Sequence, residues 1–464
     1  MSLPSLFSSP RPTPTDALST PTSQDQSSTE SLIIPLLSKP DTLHRREHMM
    51  WLLRLLFRGF PDSYSSQDAS QPWLIYWVLQ SLIQLGGVMD PESAKKGVQT
   101  IMRFWSPSGG FAGGPYQNAH VLPTYAAVCA LAIVGGRPGE GGGWDQIDRY
   151  CRAKLYDFFL SLKQSDGSFI VCENGEVDMR GCYCLLCVAT MLDILTLELV
   201  EGLAEYIANC QTYEGGFSSA CYYLSSARGR LGEAHGGYTY CALASLFLLR
   251  PLVPHVFHLI DLPRLVRWAT GMQGLPVEGA GFRGRTNKLV DGCYSWWVGG
   301  MEPLLRELVR EKAGGEGEWE DWDDAVFQKE GIQHYTLAIA QLAQGGLRDK
   351  PSKPPDAYHT ACNLAGLATA QHRVARSPQV RQQMLGKWAV ARNPQVEDRE
   401  GRREAYLASC EWAEDEGADV YLGGEDNRVN AVHPLYNLTI TSVRKMMGHF
   451  YAQEPVKSSV DQDD

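Results

Sequence analysis

The stretch DGSFIVCENGEVDMRGCYCLLCVATML, residues 166–192, sets the organisation of the whole chain. It opens on a glycine turn, Asp166-Gly167-Ser168, that ends in an apolar anchor, Phe169. Glycine lets the backbone reverse tightly, and the phenylalanine plugs the reversal into a core. From Tyr183 to Leu192 the residues are apolar nearly all round, the mark of a helix covered on every side. Beyond it, Leu199, Leu203, Ile207 and Cys210 form one stripe, with Glu198, Glu201 and Glu205 outside. That spacing predicts an amphipathic outer helix.

The unit recurs. Gly109-Gly110-Phe111, Glu214-Gly215-Gly216-Phe217, Gly279-Ala280-Gly281-Phe282 and Gly345-Gly346-Leu347 repeat the turn. Tyr125, Tyr183, Tyr238, Tyr294 and Tyr358 follow the turns at intervals of 58, 55, 56 and 64 residues. Alternating inner and outer helices at this period describe an all-α repeat protein, either an α-solenoid or a closed α/α barrel. Periodicity does not choose between them. Repeats stack into one core, so residues 41–452 read as one domain. Insertions around 310–324 and 378–427 break the pattern, and the second reads as an elaboration outside the repeat core. Residues 1–40 read as a disordered tail, because 18 of the first 30 are Ser, Thr or Pro and bury too little apolar surface to offset ordering. Helical spacing begins with Met49, Met50, Leu52, Leu53, Leu56 and Phe57. Residues 453–464 read as a flexible acidic tail.

The net charge of 42 − 53 = −11 argues against nucleic-acid backbone as the main partner, which needs a basic footprint. No apolar run approaches the roughly 20 residues of a membrane span, and no secretory signal is recognisable. A soluble cytoplasmic protein is expected, its 12 cysteines reduced rather than paired.

The sharpest chemical signal is Asp291-Gly292-Cys293 at the start of the fourth inner helix, matched by Asp356-Ala357-Tyr358-His359 in the fifth repeat. If repeats stack, these openings are neighbours, and Asp291, Cys293 and His359 offer one oxygen, one sulfur and one nitrogen. Such a set suits zinc with a fourth position open, as at a catalytic site. A core thiol and a helix-start hydrogen bonder suit the same residues, and spacing alone does not decide. Cys182, Cys184 and Cys187 diverge around a helix and read as core thiols. Arg283, Arg285 and Lys288, with His235 opening the preceding repeat, suit a phosphate or diphosphate at helix N-termini; a solvated basic turn is the plainer reading. Tyr183, Tyr238, Tyr294, Trp297 and Tyr358, with Trp73 and Trp77 upstream, line either a cavity or an ordinary core. Arg180 beside them needs a carboxylate or a ligand. Asp321-Trp322-Asp323-Asp324 resembles the acid motif of terpene cyclases but lies in an acidic run, and reads as the first turn of a helix.

Taken together, GGFAGGPYQNAHVLPTYAA (109–127), the 166–184 stretch, YEGGF (213–217), EAHGGYTYCALA (233–244), GFRGRTNKLVDGCYSWW (281–297), GGLRDKPSKPPDAYHT (345–360) and HPLYN (433–437) resemble protein farnesyltransferase beta subunits from about Leu43 to Phe450. The resemblance implies a closed α/α barrel with a central cavity, paired with a helical alpha subunit. It implies zinc on Asp291, Cys293 and His359, with the thiol of a C-a-a-X protein attacking C1 of farnesyl diphosphate. His235, Arg285, Lys288 and Tyr294 match diphosphate binders, joined in the family by an alpha-subunit lysine. Trp73, Arg180, Tyr183, Tyr238, Cys241 and Trp297 match isoprenoid-cavity positions. Ser70, Trp73, Trp77, His120, Pro123 and Tyr358 match the peptide pocket. Asp349 and Lys353 match residues near zinc and the leaving group, where magnesium often raises rate in the family. Trp73 matches the bulky residue that shortens the cavity for a 15-carbon donor, where geranylgeranyl type I enzymes have a small one. Three departures stand out: Cys362 replaces an aromatic that also shortens the cavity, Leu122 replaces a small residue beside Pro123, and Ala357 replaces a larger apolar one. The alternatives are a 20-carbon donor with the same chemistry, a terpene cyclase using Asp323 and Asp324, and a non-catalytic helical scaffold.

Overall fold

A computed structural model describes residues 18–136, 142–221, 232–312, 326–391, 401–415 and 417–456. Six inner helices, Gln71–Gln84, Val121–Val134, Met179–Met191, Gly236–Leu249, Tyr294–Trp297 and Ala357–Gln371, form the frame. Each packs on the next, and Ala357–Gln371 packs back on Gln71–Gln84. The array therefore closes into an α/α barrel. Inner helices are apolar nearly all round because outer helices such as Arg45–Arg58, Pro91–Met102 and Leu203–Asn209 pack on them from outside. Among the described residues the one sheet is a two-stranded antiparallel ladder of Val374–Arg376 with Trp412–Glu414.

The five glycine turns form as read, each pinched by a bridge that ends on its anchor, at Phe111, Phe169, Phe217, Phe282 and Leu347. All five anchors are fully buried. Thr124, Thr239 and Thr360, in the helices that follow, accept the anchor N–H of Phe111, Phe217 and Leu347 at 2.8, 2.9 and 2.9 Å. The outer stripe Leu199, Leu203, Ile207, Cys210 is buried, but its helix is broken into Leu197–Val200 and Leu203–Asn209. The break is Gly202, at φ +77°, where the Gly167 turn passes so closely that a Cβ on Gly167 would lie 2.3 Å from the Gly202 carbonyl carbon.

The HPLYN segment seals the barrel interior. Tyr240, Tyr183, Tyr125 and Tyr76, from four successive inner helices, donate to the carbonyls of Pro434, Leu435, Tyr436 and Asn437 at 2.7, 3.0, 2.8 and 2.7 Å. Four consecutive backbone acceptors are thus satisfied inside an apolar core, where an unpaired carbonyl would be costly.

Three expectations about the periphery are corrected. Within the tail expected to be disordered, Pro21–Ile33 is helical. Thr20 caps it, exchanging hydrogen bonds with Ser23 in a capping box, and Pro21 takes the first position, where its missing N–H costs nothing. Gln26 donates to Glu278 at 2.9 Å, and Ile33 is buried. The 378–427 insertion is not outside the core either. Met384, Trp388, Tyr406, Leu407, Cys410 and Trp412 are buried, and Arg402 forms a fully buried pair with Asp193 at 2.7 Å. The arginine also donates to the Tyr451 and Gln453 carbonyls at 2.8 and 2.9 Å. Gln453 to Val456 pack against the barrel, Val456 being buried, while 457–464 lie outside the described residues. So do residues 313–325, which hold most of the first insertion and the Asp321–Asp324 run.

Asp193→Ala should strand the Arg402 guanidinium without its carboxylate. Breaking one side of a buried pair costs about 3–5 kcal/mol, so a clear fall in thermal midpoint is expected; an unchanged midpoint would contradict the anchoring role.

Candidate active site

The site forms where the inner helices begin, and at five of the six openings a side chain accepts a backbone N–H from the residues that follow. His120 Nδ1 accepts the Leu122 N–H at 3.1 Å, Asp178 that of Arg180 at 2.7 Å, and His235 Nδ1 that of Gly237 at 3.0 Å. Asp291 accepts from Cys293 and Asp356 from His359, both at 2.8 Å. These caps are 58, 57, 56 and 65 residues apart, and they set the true register of the repeat. Tyr125, Tyr183, Tyr240 and Trp296 are equivalent, five residues past their caps. The tyrosine series read from sequence slips by two residues at Tyr238, since Tyr238 and Tyr240 both suit the period.

Because neighbouring helix starts adjoin, the Asp291 oxygen, Cys293 sulfur and His359 nitrogen lie within 4.8 Å of one another. His359 Nε2 faces Asp291 Oδ1 at 3.2 Å. Its other nitrogen, Nδ1, is held by Asp356 Oδ2 at 2.6 Å. A carboxylate on the far nitrogen fixes the ring and leaves Nε2 for a cation, as metal-binding histidines commonly require. Burial disfavours charge on His359, but Asp291 and Asp356 outweigh it and push the imidazole up to about 10. Burial would raise the Asp291 carboxyl, and the His359 contact pulls it below its ordinary value instead. Burial and the Asp291 charge push the Cys293 thiol well up. With protein charges alone the thiol stays protonated; a divalent cation reverses that balance. Cys182, Cys184 and Cys187 are buried and belong to none of the metal-capable groups among the described residues.

Beside this set, Tyr294 Oη meets His235 Nε2 at 3.0 Å. Burial, then the nearby Arg285, pushes His235 down to about 4, so the ring is neutral. Since Nδ1 accepts the Gly237 N–H, Nε2 carries the hydrogen and donates, which frees the Tyr294 hydroxyl to donate outward. Gly284 makes room for the phenol: a Cβ there would sit 1.8 Å from Tyr294 Cζ. Arg285 pairs with Glu233 at 2.9 Å at the surface, and Lys288 is exposed. Arg283 is otherwise engaged, clasped by buried Glu278 at 2.7 Å.

Inside the barrel the aromatics form a closed belt. Ring centroids lie 5.2 Å apart for Tyr358–Trp77, 5.5 Å for Trp77–Trp73 and 5.4 Å for Trp73–Tyr125. Tyr125–Tyr183, Tyr183–Tyr240 and Tyr240–Trp297 follow at 5.5, 5.6 and 5.6 Å. Trp297 Nε1 closes the circuit on Tyr358 Oη at 2.7 Å.

Residues 43–438 match the family model "Prenyltransferase alpha-alpha toroid domain". The protein farnesyltransferase β subunit of Saccharomyces cerevisiae is 41% identical over 88% of this chain and 80% of its own length. That of Pyricularia oryzae is 33% identical over 98% and 85%. This chain is a protein prenyltransferase β subunit. Candida albicans protein geranylgeranyltransferase-I, solved with GGPP, shares the fold with a TM-score of 0.59 at 20% identity, covering 89% of this chain and all of that one.

The other candidate positions of this prenyltransferase chain differ in burial and in partners. Arg180 has the carboxylate it needs: Asp178 takes Nε at 2.9 Å and Nη2 at 2.8 Å, while the guanidinium lies over Tyr238, 5.7 Å from the ring centre. Cys241 is buried. The turn at Ser70 is fastened to the loop leading to His120 by Gln71 N–H donating to the Gly113 carbonyl at 2.9 Å, and Pro123 is buried in the helix that His120 caps. Asp349 sits beside Asp291, its carbonyl accepting the Gly292 N–H at 2.7 Å. Burial and the Asp291 charge raise its carboxyl. Its cationic partner is Lys350 at 2.6 Å, whereas Lys353 is exposed. Sequence reasoning gave no site role to Asp356, Tyr240, Tyr125 or Tyr76; the cap-to-cap spacing was the signal that would have found the first three.

Proposed function

We propose that this chain is the catalytic β subunit of a protein farnesyltransferase. It would work with an α subunit in the cytoplasm, transferring the 15-carbon group of farnesyl diphosphate to the cysteine thiol of C-a-a-X proteins. No helix among the described residues is long and apolar enough to cross a membrane. The reading is carried by one observation: oxygen, sulfur and nitrogen donors converge next to the His235–Tyr294 pair, in a barrel lined by an aromatic belt. Asp291, Cys293 and His359 fit zinc in donor type, and Asp356 already orients the imidazole. Zinc, when bound, supplies Lewis acidity that keeps a substrate sulfur as thiolate near neutral pH.

The chain's own groups serve the leaving side. As the sulfur–C1 bond forms and the C1–O bond breaks, charge accumulates on the departing diphosphate. His235 Nε2–H, the Tyr294 hydroxyl, Arg285 and Lys288 would receive it, Arg285 exchanging exposed Glu233 for phosphate oxygens. Donors fixed in advance of that charge are the strongest kind of catalytic help. Asp349 would add an oxygen ligand for magnesium near the same place, Lys353 serving the leaving group. Trp73, Arg180, Tyr183, Tyr238, Cys241 and Trp297 would hold the isoprenoid, and Ser70, Trp73, Trp77, His120, Pro123 and Tyr358 the peptide tail.

A 20-carbon donor is the second reading, favoured by Cys362, a small side chain buried in the last inner helix. The test is competition: chain and α subunit, one C-a-a-X peptide, and equimolar farnesyl and geranylgeranyl diphosphates. The farnesyl thioether should dominate. Mostly geranylgeranyl product would move the assignment to the second reading, and absence of any thioether would end both.

A further inference from the structure

The inner helix that carries His359 in its first turn ends on another histidine. His372 closes Ala357–Gln371, 13 residues and about 20 Å along the helix from His359. Its side chain is fully buried. Nε2 contacts the Val429 carbonyl at 2.7 Å, which fixes the tautomer: Nε2 keeps its hydrogen, so the neutral ring presents a lone pair at Nδ1. That atom makes no hydrogen bond among the described residues. Yet two carboxylates face it, Asp419 Oδ2 at 3.2 Å and Glu414 Oε2 at 3.4 Å. The three ligand atoms lie within 4.8 Å of one another. Three acceptors turned to one point repel unless a positive charge sits among them.

The backbone holds this arrangement in place. Asp415 N–H donates to the Arg373 carbonyl at 2.8 Å and Val420 N–H to that of Gln371 at 2.9 Å. The loop bearing the carboxylates is thus tied to the chain on both sides of His372. The Tyr421 hydroxyl donates to Asp419 Oδ2 at 2.7 Å, the kind of outer contact that orients a metal-binding carboxylate. Asp419 Oδ1 is buried without a partner. Arg428 pairs with Glu414 at 3.7 Å from a half-exposed position, so it offsets at most one of the two acids.

We propose that His372, Glu414 and Asp419 form a second divalent-cation site, separate from the Asp291–Cys293–His359 set. One imidazole nitrogen and two carboxylates carry a net charge of −2 and lack a thiolate, so zinc or manganese suits them, with water completing the coordination. The cation ties the Trp412–Glu414 strand and the loop after it to the end of the last inner helix. It thereby staples the 378–427 insertion to the barrel. The rival arrangement is a proton on Nδ1, giving a metal-free double ion pair.

Metal counting separates the two, independently of what Cys293 does. Full-length Cys293→Ala chain, loaded with Zn2+ or Mn2+ and dialysed, should retain one equivalent, and its thermal midpoint should rise with metal. Adding Glu414→Gln and Asp419→Asn, both near-isosteric at partly exposed positions, should abolish the equivalent and the rise. No retained metal and no metal-dependent midpoint in Cys293→Ala would overturn the site in favour of the ion pair. Equal retention by the triple variant would also overturn it. Should Cys293→Ala fail to fold, Co2+ loading of Glu414→Gln/Asp419→Asn serves instead. It should lower cobalt by one equivalent and leave any thiolate-to-cobalt absorption unchanged, and an undiminished cobalt count refutes the site.

Discussion

Cys293→Ala is expected to lower prenyl transfer by about 10³ while leaving the barrel folded. Two losses combine. A free thiol with a pKa near 8.5 is only about 3% thiolate at pH 7, which costs about 30-fold once the metal no longer activates it. Misplacing the attacking atom by about 1 Å costs about 10²-fold more. The fold should survive because the substitution removes one sulfur from a side chain that is 4% exposed and makes no backbone change. Three measurements check it: zinc per chain, thioether formation, and circular dichroism. Full zinc with normal turnover would refute the ligand assignment. Loss of helical signal would mean the sulfur holds the fold rather than the reaction.

What made this site legible was the coupling of a short motif to a long repeat. Asp291-Gly292-Cys293 alone is three ordinary residues, and His359 stands 66 positions further on. A repeat of helix pairs makes each helix start the neighbour of the next, so a motif at two starts becomes a statement about contact. Closure was not legible in the same way. It depends on Ala357–Gln371 meeting Gln71–Gln84, and no local period encodes an encounter between first and last members. The belt was half legible. Aromatic residues at helix starts were visible, but Tyr238 and Tyr240 satisfy nearly the same spacing. Only the cap at His235 shows that Tyr240 belongs with Tyr125 and Tyr183.

The peripheral misreadings share one physical cause. Composition counts residues without asking what single positions do. Thr20 and Pro21 counted toward disorder, yet one is the cap and the other the first position of a helix. The charged 378–427 insertion breaks the repeat and reads as lying outside the core, yet Arg402 lies buried against Asp193 and stacks 5.1 Å from the Trp388 ring centre. A charged residue says nothing about burial until its partner is known, and Asp193 lies 209 residues away.

Trp73→Thr is expected to turn donor selection from 15 toward 20 carbons. The indole is packed among Tyr76, Trp77 and Tyr125, with centroids 5.9, 5.5 and 5.4 Å away. Behind it the Tyr76 and Tyr125 hydroxyls are fixed to the carbonyls of Asn437 and Tyr436, so the floor cannot retreat by itself. With the isoprenoid held as proposed, removing the indole would open depth for one more isoprene unit, five carbons. At about 0.8 kcal/mol per buried carbon that is roughly 3–4 kcal/mol, several hundredfold in relative kcat/KM between the two diphosphates. Transfer of the shorter donor should fall only modestly, because the groups proposed to receive its diphosphate, His235, Arg285, Lys288 and Tyr294, are untouched. The companion variant Cys362→Tyr should push the other way by adding bulk from the last inner helix to the proposed isoprenoid site. If Trp73→Thr leaves the ratio of the two products where it was, Trp73 does not set the depth, and the 15-carbon assignment loses its physical basis.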